Sequence, residues 1–503
     1  MKASQLYTAF QQKVSRNYHL NCRTVYRFAN EHGTIAPLNR NSSFIQPRMA
    51  TFSSNPRTEL TLQHSLKDSG AFAVMAGIGE TYLSAFALFL GAGTAQIGLL
   101  SSVPPMLASL AQIFSAWLGH AIGHRKRIIL TGAVIQCLAW LPILSLPLLF
   151  PDYAVPLLIV AVVIYYVGAN LSAPQWSSLM GDIVPRRKRG RFFGMRTRLI
   201  TALTFLSLMA GGLILHLFTE RDQTLYGFVL LFLVAIIARS VSIYHLARMH
   251  DPGGHVSAME LPASREWWTR LRTSNFVRFS LFFALMQFAV AIASPFFTVY
   301  LLRDLEFSYL QFTAITGAAV LAQFLTLTQW GRISDVFGNR RILSVSGLII
   351  PLLPILWTFS TSTWYLVVTQ ALSGFCWAGF SLSAGNFLYD IIKPGRRLTY
   401  MAMHNVLASL AVFAGALLGG LLGAAMPDRI ALFGLDWQWA SPLYGIFILS
   451  TVVRLIVVAT FIPQLKEVRA VRPISFGQVI FRVTRVNALA GLVFDIVGSR
   501  PKK

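Results

Sequence analysis

The chain has 503 residues, of which 55% are hydrophobic and only 12% charged, and it has a formal net charge of +24 at pH 7. Soluble domains carry about 25% charged residues, so a water-soluble protein of this composition could not cover its apolar core with polar surface. The composition therefore excludes an ordinary soluble protein and indicates one that is built into a membrane.

The apolar residues come in continuous runs of about 18–25 residues, the length of helix that crosses ~30 Å of hydrocarbon. Only helices and closed barrels satisfy their backbone in lipid, and these runs lack the alternation of barrel strands. The sequence therefore predicts an all-α polytopic membrane protein with twelve transmembrane helices. The predicted spans are 70–92, 95–119, 128–150, 154–176, 198–219, 226–247, 276–301, 308–330, 342–361, 364–388, 400–424 and 440–462.

Lysine and arginine crowd alternate connections between the spans. In a soluble protein such an excess of charge would suggest nucleic acid, which is not expected here, because the positive side of a membrane protein faces the cytoplasm. Both termini are therefore predicted to be cytoplasmic, with some attraction to anionic lipid. The basic connections contain Arg125–Arg127, Arg186–Arg198, Arg248–Arg278, Arg332–Arg341 and Lys393–Arg397, whereas the opposite connections carry Arg221, Arg303 and Arg429.

The chain is built twice, at an offset of roughly 210 residues. Three landmarks recur in the same order: a glycine-rich basic loop after spans two and eight, an aspartate at the end of spans four and ten, and an arginine within spans six and twelve. The last two pairs are Asp182 with Asp390 and Arg239 with Arg454. The predicted halves are residues 70–247 and 276–462, joined by a cytoplasmic linker at 248–275.

At these residues the chain resembles the major facilitator superfamily, whose signature loop is G-x-x-x-D-x-x-G-[RK]-[RK]. The second copy of the loop contains Gly331, Asp335, Gly338, Arg340 and Arg341, with Asn339 at one basic position. The first copy is degenerate. It keeps Gly123, Arg125 and Lys126, but Ala116 replaces the first glycine and His120 the aspartate. The resemblance implies two pseudo-symmetric six-helix bundles.

A further resemblance lies between spans four and five. Pro174–Trp176, Gly181–Pro185 and Arg189–Gly194 are similar to a bacterial group within the superfamily that has no assigned substrate. The bacterial inner membrane is therefore the expected location, and a monomer is the expected state.

The signature loop also has a physical interpretation. Asp335 can pair with a cation on a neighbouring helix, whereas Gly331 and Gly338 allow close approach and a sharp turn. Arg340 and Arg341 anchor the turn at the membrane surface. Such a charge cluster would close one side of the protein and break when that side opens. The alternative is simple anchoring by positive charge.

Motifs for other chemistry are missing from the sequence. It contains no G-x-x-x-x-G-K-[ST] and no H-E-x-x-H, and its acidic residues are few and dispersed. An ATP-driven pump and a membrane enzyme are therefore not expected, nor is a cofactor or a metal centre.

Ionisable residues within spans are costly and imply function by default. Glu80 lies in the middle of span one, close after Gly77 and Gly79. Burial disfavours the charged form of a carboxyl, so Glu80 could load and release a proton; the alternative is a structural glutamate that joins helices. Arg239 and Arg454 are expected to be structural or to reach the lipid interface. Asp182 and Asp390, beside Arg189 and Arg396, are expected to form local ion pairs.

The resemblance also implies that spans one, four, seven and ten line a central cavity. One acid and several aromatic groups there would suit an amphipathic or cationic solute. Besides Glu80, the candidate cavity residues are Tyr82, Tyr166, Asn170, Gln287, Tyr300, Trp377, Ser381 and Asn386.

The remaining segments are the two tails. Residues 1–67 are predicted to be a basic cytoplasmic tail. This tail could be a transit peptide, or the assigned start could lie too early, with Met49 as the alternative first residue. Residues 463–503 are predicted to be a cytoplasmic tail with an interfacial amphipathic helix.

The sequence as a whole predicts a secondary transporter, a symporter or antiporter of a small solute, with proton coupling through Glu80 as a hypothesis. The alternative is a transporter-like sensor or assembly factor that does not transport.

Overall fold

A computed structural model describes residues 52–53, 55–185, 188–251, 274–392, 397–426, 429–432, 435–438 and 441–468. These residues contain twelve helical segments that are long and apolar enough to cross a membrane, which confirms the predicted number. We number them α1 Pro56–Phe89, α2 Thr94–Ile122, α3 Arg125–Leu149, α4 Ala154–Ile183, α5 Arg189–Thr219, α6 Thr224–Ala247, α7 Asn275–Asp304, α8 Tyr309–Phe337, α9 Asn339–Leu356, α10 Thr363–Ile391, α11 Arg397–Ala425 and α12 Leu443–Phe461.

Four of these segments are interrupted. Proline lies at or near the breaks in α7 and α9, because it cannot donate the hydrogen bond that a continuous helix requires. The helical pieces are Pro56–Ile78, Glu80–Tyr82 and Leu83–Phe89 in α1; Arg125–Leu138 and Trp140–Leu149 in α3; Asn275–Ala293, Phe296–Val299 and Tyr300–Asp304 in α7; and Asn339–Ile349, Ile350–Leu352 and Leu353–Leu356 in α9.

The first helix begins earlier than the sequence predicted. The Asn55 side chain caps it by accepting a hydrogen bond from the Arg57 backbone, and Pro56 occupies the first turn. Residues 56–67, which were assigned to the tail, are therefore helical. The prediction was wrong because this stretch is polar, yet Thr61, His64 and other polar side chains on it are buried.

The helices form an N-terminal half, α1–α6, and a C-terminal half, α7–α12. Within the N-terminal half, α4 packs on α2 and α3, and α1 packs on α5 and α6; within the C-terminal half, α10 packs on α8 and α9, and α7 packs on α11 and α12. The halves meet chiefly where α2 packs on α11 and α5 packs on α8. This is the arrangement of two six-helix bundles that the sequence predicted.

A short hairpin of two antiparallel strands, Arg429–Leu432 and Leu435–Gln438, joins α11 to α12, with Arg429 opposite Gln438. The sequence analysis did not predict it. The predicted tail at residues 1–48, most of the linker and the predicted C-terminal amphipathic helix lie outside the described residues.

The connections between the helices lie at two faces of the protein. The basic face contains the connections α2–α3, α4–α5, α8–α9 and α10–α11, and the opposite face contains the connections α1–α2, α3–α4, α5–α6, α7–α8, α9–α10 and α11–α12.

Candidate functional site

A break in α1 positions Glu80. The α-helix ends at Gly79 and one 3-10 turn, Glu80–Tyr82, follows before the helix resumes at Leu83. The break lies against Trp140 of α3, and a Cβ on Gly79 would lie 2.7 Å from the indole ring. Only glycine fits there, so the local sequence Gly79-Glu80 fixes both the break and the direction of the carboxyl.

The Glu80 carboxyl accepts two hydrogen bonds from adjacent residues of α4. The Tyr166 hydroxyl donates to Oε1 at 2.8 Å and the Tyr165 hydroxyl donates to Oε2 at 3.0 Å. The Trp140 ring packs edge-on against Tyr165, with ring centroids 5.0 Å apart. Among the described residues, no Lys, Arg or His lies within ion-pair distance of this carboxyl. Glu80 is thus a partly buried acid whose hydrogen-bond donors are neutral. A tyrosine hydroxyl can donate to the carboxylate or, after a small rotation, accept from the protonated acid.

A chain of polar groups leads from this carboxyl toward the basic face. The Tyr166 carbonyl accepts from Asn170 Nδ2 at 2.9 Å, and Asn170 Oδ1 accepts from Gln112 Nε2 of α2 at 2.5 Å. Two of the predicted cavity residues, Tyr166 and Asn170, therefore lie together beside Glu80.

A second buried cluster lies in the same half, between α1 and α6. Ser242 donates to Asp68 Oδ1 at 2.6 Å, and Arg239 Nη1 reaches Ser242 Oγ at 2.7 Å. The Arg239 guanidinium also lies over the Phe72 ring, 5.4 Å from its centroid. Arg239 is 4% exposed and Asp68 is 4% exposed. The lipid-facing alternative for Arg239 is therefore wrong, because this cation is buried inside the bundle and is linked to Asp68 through Ser242.

The C-terminal half contains a cavity where the N-terminal half holds the Glu80 cluster. Its volume is about 440 Å³, and its walls come from α7, α9, α10 and α12. Three predicted cavity residues, Gln287, Trp377 and Ser381, line it. Arg454 also lines it and is 3% exposed, so the lipid-facing alternative is wrong for this arginine too.

Three other predicted cavity residues are placed elsewhere. Tyr300 is fully buried and its hydroxyl lies 2.9 Å from that of Tyr444, so it belongs to the core between α7 and α12. Tyr82 is also fully buried and contacts the other half of the protein. Asn386 is partly buried on α10 and does not line the cavity. When a helix is apolar on nearly every face, its sequence does not show which face lines a cavity.

Contacts between the halves cluster toward the opposite face. The Tyr82 hydroxyl donates to the Leu208 carbonyl at 2.5 Å and lies 3.1 Å from Thr313 Oγ1 of α8. Arg303 at the end of α7 donates to Thr94 at the start of α2 at 2.9 Å. A Cβ on Gly98 of α2 would lie 2.9 Å from the backbone of α11. The two halves are therefore in direct contact at this face.

Toward the basic face, space opens between the helices. Gly194 lies in the first two turns of α5 and Gly385 in the last two turns of α10. A Cβ on either glycine would have no heavy atom within 4 Å. The inter-half contacts described above therefore lie toward the opposite face, and neither of these two glycines packs against the other half.

The first signature loop holds a buried ion pair. Arg125 is 2% exposed and its guanidinium contacts Asp182 at 2.6 Å and Asp251 at 3.4 Å. The backbone N–H of Lys126 donates to Asp251 Oδ2 at 3.4 Å, and Gly123 has a φ of +67°, which favours glycine. Asp182 therefore pairs with Arg125 of α3 and not with the nearby Arg189. Arg189 instead donates to the carbonyls of Gly181 and Val184 and caps the end of α4.

The second loop uses neutral groups at the same place. Asn339, fully buried, accepts from Ser334 at 2.5 Å and donates to Asp390 at 2.9 Å. The backbone N–H of Arg340 donates to Glu467 at 2.9 Å, as that of Lys126 does to Asp251 in the first loop. Asp390 therefore binds an amide in this loop.

The glycines of the second loop differ from each other. Gly338 has a φ of +85°, so the sharp turn requires it. Gly331 is not needed for close approach, because a Cβ there would meet nothing nearer than Leu382 at 3.7 Å. Arg341 is exposed at the start of α9. The side chain of Asp335 and all of Arg396 lie outside the described residues.

Three acidic residues in these clusters were missed by sequence reasoning: Asp68, Asp251 and Glu467. Asp251 and Glu467 each follow the last helix of a half by a few residues. An alignment of the two halves that continued beyond their last helix would have identified these two acids as equivalent residues. Both accept a hydrogen bond from the backbone at the start of the third helix of their half.

The comparisons with known proteins agree with this architecture. The profile of a family described as the MFS_1 like family matches residues 71–433. No curated protein matches the chain.

Several solved structures share the fold at low identity. The nucleoside transporter NupG is 15% identical with a TM-score of 0.58, over 81% of this chain and 99% of that one. A bacterial homologue of the human lysosomal transporter Spinster is 15% identical with a TM-score of 0.59, over 82% and 97%. The D-xylose-proton symporter is 15% identical with a TM-score of 0.59, over 81% and 98%.

Proposed function

Because this chain belongs to the MFS_1 like family, whose fold it shares with solved secondary transporters, we propose that it moves a small solute across a membrane by alternating access. The observation that carries the proposal is the asymmetry between the faces. The halves touch through Tyr82, Gly98 and Arg303 toward the opposite face, whereas Gly194 and Gly385 border open space toward the basic face. A transporter needs this closure to be reversible and to have a counterpart at the other face.

The orientation follows from the distribution of charge. Since connections rich in Lys and Arg stay in the cytoplasm, the basic face is cytoplasmic, both termini are inside, and the conformation described here is open to the cytoplasm. The bacterial inner membrane is the membrane that the sequence resemblance favours. In this orientation the Arg125 and Asn339 clusters lie at the cytoplasmic ends of the two halves, where they hold together the helices that must move as rigid units.

Proton coupling through Glu80 deepens the proposal. The carboxyl lies within α1 at a helix break, its hydrogen-bond partners are the neutral hydroxyls of Tyr165 and Tyr166, and polar groups continue through Asn170 toward the open face. A carboxyl without a cation beside it binds a proton readily when the site closes and water leaves. Movement of solute and proton would then be linked, because only the neutral acid is stable in the closed site.

The experiment uses proteoliposomes loaded with a pH-sensitive dye and challenged with a library of small solutes. Wild-type protein is expected to give a solute-evoked proton flux. Glu80→Gln keeps the size of the side chain and a carbonyl acceptor for the tyrosines but cannot bind a proton, so the flux should be lost while solute counterflow, measured with isotope, continues. Arg221→Gln, an exposed change on the opposite face, is the matched control and should behave as wild type.

The two parts of the proposal fail differently. A proton flux that Glu80→Gln leaves unchanged would refute coupling through this acid. Failure of every solute in both the dye and the counterflow assays would instead refute transport and favour the sensor or assembly role.

A further inference from the structure

Arg454 is a buried cation to which no acid among the described residues is paired. Within the same residues its guanidinium donates to two backbone carbonyls, to Ile350 at 3.3 Å and to Val290 at 3.5 Å, and both bonds are long. Its Nε–H has no hydrogen-bond partner among the described residues, a property that it shares with the Nε–H of Arg239. Among the described residues no carboxylate lies within 4.0 Å of it. An arginine cannot escape by losing its proton, so this charge remains in an apolar bundle.

The repeat-related arginine of the N-terminal half shows what is missing. Arg239 is equally buried, but it shares Ser242 with the carboxylate of Asp68. A buried charge without compensation is strongly destabilising, which is why buried arginines are ordinarily paired. Among the described residues, the C-terminal half keeps the arginine and places no acid beside it, which leaves the site suited to an anion from outside the chain.

Space for such an anion is present beside the guanidinium. Arg454 lines the cavity of about 440 Å³, which falls in the range of small-molecule sites, about 300–1,000 Å³. The amides of Gln287 and Gln370 and the hydroxyl of Ser373 supply further hydrogen-bonding groups on the walls, and Trp357 and Trp377 supply flat apolar surface. A charged end and an apolar body are thus both provided for.

We propose that Arg454 binds the carboxylate or phosphate of a small organic anion, whose apolar body packs against Trp357 and Trp377. The planar guanidinium fork suits either oxyanion. This inference rests on the proposed transport function and names the class of its solute. It replaces the sequence-based expectation of an amphipathic or cationic solute, which weighed Glu80 and the aromatic residues but not an unpaired arginine.

The test measures binding to the purified full chain in neutral detergent by titration calorimetry and thermal unfolding. The probes are two aromatic acids with their amides as neutral isosteres: benzoate with benzamide, and indole-3-acetate with indole-3-acetamide; phenyl phosphate is the third anion. The acids should bind wild type and raise its melting temperature, and the amides should bind at least tenfold more weakly.

Variants separate charge from shape. Arg454→Gln should weaken acid binding about 10- to 100-fold, the worth of charge-assisted hydrogen bonds, and Arg454→Lys should retain part of it. Ser373→Leu fills part of the cavity and keeps the arginine in the sequence; it should also abolish binding, which keeps the test valid if an Arg454 variant does not fold. Arg221→Gln is the matched loss of one exposed positive charge and should bind as wild type.

Several results would overturn the inference: no binding of any of the three anions, equal binding of acid and amide, or acid binding unchanged in Arg454→Gln. A lipid headgroup has the same chemistry, so the titration is repeated in nanodiscs of phosphatidylcholine with and without phosphatidylglycerol. Loss of acid binding in the presence of the anionic lipid would assign the site to lipid and overturn the soluble anion.

Binding needs no transport, so the two proposals can be told apart. Acid binding that depends on Arg454 without any flux would leave the anion site standing and refute transport. A flux whose solute is bound equally by wild type and Arg454→Gln would refute only the anion site.

Discussion

The contact between α2 and α11 predicts a large response to one added methyl group. Gly98 lies on α2, and a Cβ there would come within 2.9 Å of both the Ala416 carbonyl oxygen and Gly420 Cα. Both are backbone atoms, which cannot rotate away, so in Gly98→Ala the two helices have to separate. Overpacking of this kind costs about 1–3 kcal/mol.

This cost arises only while the halves are in contact at the opposite face. The conformational equilibrium should therefore shift toward the state that is open there, by roughly 5- to 150-fold since 1.4 kcal/mol corresponds to tenfold. Replacing glycine by alanine within a helix also stabilises that helix by about 1 kcal/mol. That term is the same in both conformations and does not affect the equilibrium between them.

The assay follows the exposure of one cysteine. Ser102 lies one turn from Gly98 on the same side of α2 and is fully buried, so Ser102→Cys, in a chain whose three native cysteines are replaced, should react with maleimide only when this face opens. Gly98→Ala should raise the labelling rate by the factor above. Gly194→Ala is the matched control, because its Cβ would meet no heavy atom within 4 Å. An unchanged rate in a folded Gly98→Ala protein would refute the argument.

Two further substitutions test other contacts. Tyr82→Phe removes the hydroxyl that lies 3.1 Å from Thr313 across the two halves. A hydrogen bond of this kind contributes about 0.5–1.5 kcal/mol, so its loss should raise the labelling rate of Ser102→Cys roughly 2- to 10-fold. Labelling slower than wild type would contradict this. Arg125→Gln removes the cation that contacts Asp182 and Asp251 and should lower the free energy of unfolding by ~1–3 kcal/mol, discounted from the fully buried case because Asp182 is 58% exposed. Thermal unfolding of this variant measures the loss of stability. The control is Arg127→Gln, which removes an exposed arginine and should change the free energy of unfolding by less than about 0.5 kcal/mol.

The sequence predicted most of the fold because lipid imposes a simple rule. A span has to be apolar for its full length, so the number of helices and most of their ends follow from hydropathy. The rule failed at α1, where Asp68 and His64 are polar yet buried. These side chains are satisfied by Ser242 and His245 of α6, and no property of α1 alone reveals those partners.

The candidate site could be predicted from the sequence less completely than the fold. Glu80 was found because an acid inside an apolar run is costly, but its tyrosine partners depend on how α1 approaches α4. Arg239 and Arg454 occupy equivalent places in the repeat and were given one interpretation. In three dimensions the first is linked to Asp68 through Ser242 and a cavity borders the second, a difference that depends on residues far away in the chain.

The most direct test of alternating access locks the two halves together. A Cβ at position 423 of α11 would lie 2.9 Å from Thr94 Cγ2 of α2, so the double variant Thr94→Cys, Gly423→Cys should form a disulfide at the opposite face in the conformation described here. In proteoliposomes, solute counterflow should be present in the reduced protein, lost on oxidation and restored by reductant, with each single-cysteine variant unaffected by oxidation. Counterflow that continues at the wild-type rate with the disulfide fully formed would contradict the account.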